Sequence, residues 1–288
     1  MNLEAHAPPG CRVNDAANSW IEGGRVGGGR VGGLSRIDWF GHGRESSIGR
    51  TGFNGRAGLQ SPASIERAGC DPLRFVAVRA ALFDWDGTLV DTLPFMYAAT
   101  EIVMAEYGVT VTWDEYRRHF TPDWRLLYRR FRLPEEAIES VGERWWSLYR
   151  GRDEAALLPG AAEALRRLAG AGLALGIVTA GRRESVEPQL ERHGLGGLLR
   201  ARVYGDDPFE QKPGPGGLRH ALEVLGLAEH AVETAYVGDA LDDMRLAVAV
   251  GARGIGIRSD LATDTELHDA GASEVMGSVA DWVASLLG

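Results

Sequence analysis

Cysteine is nearly absent: the 288 residues hold two, Cys11 and Cys70. Two thiols cannot build a disulfide framework or a four-ligand zinc site, and a reducing compartment is the default expectation. Lysine is rarer still, with Lys212 alone against 30 arginines. The seven histidines show no metal-ligand spacing. Long apolar runs are also missing. The longest weakly polar stretch, Ala169 to Gly181, is too short and too glycine-rich to span a bilayer. No apolar segment of signal-peptide length follows Glu4. Positive charge is in deficit, with 31 Lys and Arg against 40 Asp and Glu, a net charge of −9. Residues 76–288 carry all of that deficit, with 22 Lys and Arg against 33 Asp and Glu, and an acidic body argues against nucleic acid as a partner. A soluble cytoplasmic protein is expected, monomer or homodimer, with neither nucleic acid nor membrane as a partner.

What is present is unevenly distributed. Residues 1–75 concentrate glycine and arginine, including the local repeat at 26–33, and hold no lasting period of 3.6 or 2. A segment of this kind buries too little apolar surface to offset the entropy of ordering it. It reads as a disordered extension, either a tail or an over-extended gene start. Gly27, Gly29 and Gly32 match a dinucleotide-binding spacing, but no apolar strand precedes them and no helix follows, as that reading requires.

From Phe75 the texture changes. Val76 to Phe83 is an apolar run closed by Asp84-Trp-Asp-Gly-Thr, a buried strand ending in a turn. Residues 93–107 and 112–151 have helical spacing and are rich in Trp and Tyr. Beyond Pro159, strands at 173–178, 201–204, 234–237, 254–257 and 273–276 alternate with helices. Near-continuous apolar strands alternating with helices predict an α/β fold, a Rossmann-like parallel sheet covered on both faces. The expected division is a core of residues 76–91 and 158–288, with an all-helical insertion at 92–157.

Ligands in such sheets bind just beyond the carboxyl ends of the strands. There the sequence places Asp84 and Asp86, then Thr179-Ala180-Gly181, then Lys212 in the loop after the third strand, then Gly238-Asp239 with Asp242 and Asp243. The separations of 95, 33 and 27 residues mean that only the fold can unite them. In a chain this biased towards arginine, the retained lysine is read as functional, because an ammonium and a guanidinium are not interchangeable at a tight site.

These motifs resemble those of the haloacid dehalogenase superfamily, in its phosphoglycolate-phosphatase-like branch with a helical cap. The resemblance covers about 76–288. Asp84-Trp-Asp-Gly-Thr looks like the first motif, Thr179 the second, Lys212 the third and Gly238-Asp239-Ala-Leu-Asp-Asp243 the fourth. It implies a phosphatase acting on a small phosphorylated metabolite, a phosphoglycolate-like monoester, through an aspartyl-phosphate. Asp84 would be the nucleophile and Asp86 the general acid, then base. Thr179, Ala180, Gly181 and Lys212 would bind the phosphoryl group. Mg²⁺ would sit on the Asp84 side chain, the Asp86 main-chain carbonyl, Asp239 and Asp243. Asp242 would face elsewhere, as an acid at a helix start. Arg125, in the loop between two cap helices, is a candidate for a distal anionic group on the substrate. A sugar phosphomutase and an inorganic pyrophosphatase are alternatives on the same fold, and a phospho-accepting signalling module is a remote one.

Overall fold

The computed structural model describes residues 77–149 and 155–288, so the expectation for residues 1–75 lies outside the described residues. Six short strands form one parallel sheet: β1 (Ala80–Phe83), β2 (Ala174–Val178), β3 (Leu199–Val203), β4 (Thr234–Gly238), β5 (Arg253–Ile257) and β6 (Ala272–Met276). Their order is β3-β2-β1-β4-β5-β6, and every neighbouring pair is parallel. β1, β4 and β5 are buried throughout, which accounts for apolar runs without alternation. One face packs Phe83, Leu165, Ile177 and Trp282. The other packs Leu82, Leu218, Leu222 and Leu246. The sheet is thus the middle of three layers, as the apolar patterning predicts.

Between β1 and β2 the chain builds α1 (Leu93–Ala105), α2 (Trp113–His119), α3 (Trp124–Arg130) and α4 (Glu135–Tyr149), followed by α5 (Ala161–Gly170). The helical pattern expected over 112–151 is divided into three. Pro122 and Pro134 stand in the two gaps, where proline disfavours a continuing helix. The first gap also supplies a start: Asp123 caps α3 by accepting from the amides of Arg125 and Leu126. α1–α4 share their own aromatic-rich core around Val103, Tyr116, Tyr128 and Ile138. The remaining helices are α6 (Arg183–Arg192), α7 (Gly216–Leu225), α8 (Leu241–Val250), α9 (Asp264–Asp269) and α10 (Val279–Leu287). α9 was not expected from periodicity, because Leu267 is its one buried residue. Its signal is the Thr263/Glu266 capping box. Among the described residues, no helix is long and apolar enough to cross a membrane.

Candidate active site

Register sets the site. Phe83 at the end of β1 pairs with Ile177 of β2 and with Val237 of β4. Asp84 is therefore level with Val178 and Gly238, and Thr179 and Asp239 project one residue further. Asp84 keeps its place through its amide, which donates to the Val237 carbonyl at 2.8 Å. The chain then turns at Gly87, which has φ 78°. A Cβ there would stand 2.6 Å from Asp239 Oδ2, so the turn needs glycine both for its backbone and for the approach of that carboxylate.

The structure brings Asp84, Lys212, Asp239 and Asp243 together. Lys212 Nζ donates to Asp84 Oδ1 at 2.5 Å and to Asp243 Oδ1 at 3.0 Å. Carboxylate oxygens of Asp84, Asp239 and Asp243 lie within 4.8 Å of one another, and all three residues are buried. Asp243 sits in the first turn of α8. Its Oδ2 accepts from the Ala240 amide at 3.1 Å, and its Oδ1 also lies 3.2 Å from the Tyr236 hydroxyl. Asp239 Oδ1 accepts from Thr88 Oγ1 at 3.3 Å, whereas Asp239 Oδ2 is buried without a protein partner.

Three carboxylates face one ammonium, and the electrostatics follow. Burial, with Asp243 next in effect, pushes the Asp239 carboxyl up to about 7. Burial also raises Asp84, and Lys212 opposes that rise. For Lys212, burial works against the charge, but Asp243 and Asp84 outweigh it and hold the ammonium protonated.

Asp86 stands apart from this cluster. Its Oδ1 accepts from the Tyr149 hydroxyl at 2.6 Å, from the last turn of α4. Its Oδ2 lies beside Gly181, 3.3 Å from where a Cβ would be, and Thr179 Oγ1 lies 3.2 Å from the same point. Burial raises the Asp86 carboxyl, and the Tyr149 hydrogen bond pulls the other way. Thr179 Oγ1 accepts from the Gly181 amide at 2.9 Å, which leaves its own proton to donate and engages an amide expected to face a ligand.

Above Asp84, Asp86, Ala180 and Gly181 opens a cavity of about 790 Å³, mouth included, walled by α1–α4. Arg125 is not brought into it. Its exposed guanidinium pairs with Glu139 at 2.6 Å and lies over the Trp124 ring at 4.1 Å. Thr121, Pro122 and Trp124 of the same loop do line the cavity. Asp242 faces away from the carboxylate cluster, as expected, and is not merely a helix-start acid. It is buried, accepts from Thr121 Oγ1 at 2.8 Å and pairs with Arg245, so it ties the helical insertion to α8. Sequence reasoning missed the hydrogen bonds that Tyr149, Tyr236 and Thr121 make to carboxylates. A Tyr or Thr inside a helical, aromatic-rich stretch gives no sign that its hydroxyl reaches a carboxylate 63 or 121 residues away.

Known proteins resemble this chain in sequence and in fold. A phosphoglycolate phosphatase of Yersinia pseudotuberculosis is 29% identical over 194 residues, 64% of this chain and 83% of that protein. A crystal structure of a hydrolase from Pseudomonas syringae matches with a TM-score of 0.64 at 27% identity, covering 72% of this chain and 97% of that one. A Rhodobacter sphaeroides protein, CbbY, solved in complex with phosphate, matches with a TM-score of 0.60 at 26% identity, over 71% and 96%. Residues 81–257, which run from β1 to the end of β5 and span more than half of the sequence, match the family model for haloacid dehalogenase-like hydrolases, and the chain belongs to that family.

Proposed function

We propose that this chain is a Mg²⁺-dependent phosphatase that hydrolyses a small organic phosphate monoester through an aspartyl-phosphate on Asp84. The observation that carries the reading is Asp84 at the cavity floor, held by Lys212 beside a carboxylate oxygen of Asp239 that has no protein partner. The activity of the Yersinia relative and the phosphate held by the Rhodobacter protein support it. Residues 92–157 act as the cap, and residues 76–91 and 158–288 as the core.

The donor set fits Mg²⁺: three buried carboxylates offering hard oxygen atoms, one of them unpartnered. Asp84, Asp239 and Asp243 would hold the ion with the Asp86 main-chain carbonyl. Bound there, Mg²⁺ supplies the positive charge that lets a phosphate dianion approach three carboxylates. Lys212 engages Asp84 Oδ1, which leaves Oδ2 to attack phosphorus. The Thr179 hydroxyl donates to a phosphoryl oxygen. Asp86 gives its proton to the departing alkoxide, then takes one from the water that attacks the aspartyl-phosphate, releasing phosphate and restoring Asp84. Phosphate release from p-nitrophenyl phosphate, present with Mg²⁺ and lost on chelation, tests the assignment. Absence of release at any Mg²⁺ concentration removes it.

Two further outcomes follow from the geometry. A carboxyl raised to about 7 in the fold, against about 4 unfolded, favours the folded state while protonated. Its contribution is full below pH 4 and is lost as pH rises through 7, about 4 kcal/mol in all. Metal-free Asp239→Asn, which keeps an oxygen to accept from Thr88, should therefore melt above the native protein at pH 8, with a smaller gap at pH 5. Mg²⁺ should raise the melting temperature of the native protein at pH 8 and leave the variant unmoved. An equal Mg²⁺ response in both would detach Asp239 from the metal.

Tyr149 fixes one oxygen of Asp86 and so aims the other. Tyr149→Phe should lower kcat/KM for an alkyl phosphate about 10²-fold, because an alkoxide needs its proton in the transition state. The same variant should lower kcat/KM for p-nitrophenyl phosphate only a few-fold, since nitrophenolate leaves unaided. A purely structural hydroxyl would move both substrates equally.

A further inference from the structure

The cavity has two chemically different ends. Its floor carries Asp84, Asp86 and Asp239, where the phosphoryl group belongs in the phosphatase reading, on which this inference rests. Its aromatic wall is made of Tyr116, Phe120, Trp124, Tyr128, Trp145 and Trp146, from α2, α3, α4 and the loop between α2 and α3. No Lys, Arg or His lines it among the described residues.

The polar atoms of the wall are already engaged or neutral. Thr100 Oγ1 donates to the Met96 carbonyl at 2.9 Å and accepts from Trp145 Nε1 at 3.2 Å. Thr121 is held by Asp242, and Tyr149 by Asp86. Burial pushes the Tyr116 and Tyr128 phenols up, so neither carries charge. The neighbouring cations stay behind the aromatic rings. Arg125 lies over Trp124 and pairs with Glu139, while Arg182 lies over Trp146 at 4.6 Å and pairs with Glu143 at 2.9 Å.

Gly142 falls inside α4, where glycine costs a helix about 1 kcal/mol relative to alanine. A Cβ there would stand 2.4 Å from the Trp124 ring, so the missing side chain is what seats that indole against the helix.

A carboxylate on the leaving group would lie among lining residues that offer it no cation, at a cost that rises as water is excluded. An aromatic ring would meet the edges and faces of other rings. We infer that the substrate is the phosphate monoester of an uncharged alcohol bearing an aromatic ring on a short chain, the ring lying against the aromatic wall and the phosphate on Asp84.

The test compares 2-phenylethyl phosphate, ethyl phosphate and phosphoglycolate, whose leaving groups are all aliphatic alkoxides, by phosphate release from the full chain with Mg²⁺. The expected kcat/KM for 2-phenylethyl phosphate exceeds each of the others by about 30-fold or more, the size of discrimination an apolar pocket gives. Trp146→Leu should shrink the 2-phenylethyl to ethyl ratio several-fold. With the native chain and ethyl phosphate, 2-phenylethanol should compete and glycolate should not. Parity among the three esters, or an excess for phosphoglycolate, overturns the inference and leaves the phosphatase reading standing. No release from these esters or from p-nitrophenyl phosphate removes that reading, and the inference with it.

Discussion

Asp84→Asn keeps its fold and loses phosphate release by at least about 10⁴-fold. The amide is nearly isosteric with the carboxylate, so the loss belongs to the attacking oxygen and not to packing. Stability moves the other way. Three buried carboxylates share one ammonium in the native cluster, and Asp239 and Asp243 both raise the Asp84 carboxyl. Removing one negative charge leaves Lys212 with Asp243 and eases the repulsion that remains. The metal-free variant should therefore melt at or above the native temperature at pH 8. Activity assays beside thermal unfolding check both halves. Near-native turnover in the variant would show that Asp84 is not the nucleophile, and a collapse in melting temperature would show that the charge balance of the cluster is misassigned.

Lys212→Met carries the second large effect, opposite in its stability sign. Lys212 is 5% exposed and is the cation shared by Asp84 and Asp243. Breaking a buried pair by deleting one partner costs about 3–5 kcal/mol, because the other charges stay buried without compensation. In a domain of this size that is a fall in melting temperature of roughly 10 °C. The deficit should grow from pH 5 to pH 8. At low pH the abandoned carboxyls take protons and need no partner, and at higher pH they must ionise against each other. Turnover should fall by about 10³-fold, from lost stabilisation of the transferring phosphoryl group. Lys212→Arg should rescue little, since the guanidinium fork is larger than the ammonium it replaces. A Met variant that melts like the native protein and turns over within threefold of it would strip Lys212 of both roles.

Asp84 was legible because its signal is local, and Lys212 because it is the one lysine of an arginine-rich chain. Asp84, Asp86 and Gly87 share one strand-end turn, and the unbroken apolar run before them marks a strand buried on both faces. The same reasoning found six strands within a few residues of their bounds, although β1 is described from Ala80 where Val76 was expected. It gave 112–151 helical spacing with one loop, at Arg125, between two helices, and the continuing aromatic spacing hid the second break. Pro134 was the signal that would have marked it.

The helical insertion shows where the sequence stops. Periodicity says that Trp113, Trp124, Trp145 and Trp146 fall on buried or half-buried faces, but not what each face is buried against. Folding sends Trp113 to a cluster with Tyr97 and Tyr116, and turns Trp124, Trp145 and Trp146 to the cavity above Asp84. It places Arg125 outside, where Glu139 on the neighbouring α4 claims it.

The sequence by itself determined the parallel sheet and the carboxylates, threonine and lysine at its edge, because strand, turn and motif are each written within a few consecutive residues. Tertiary structure alone decided that Lys212 is shared by Asp84 and Asp243, that Tyr149 holds Asp86, and that the cavity is aromatic and free of described cations. Those outcomes depend on which faces of separate elements meet, and a pattern of polarity along one chain marks a face without naming its partner.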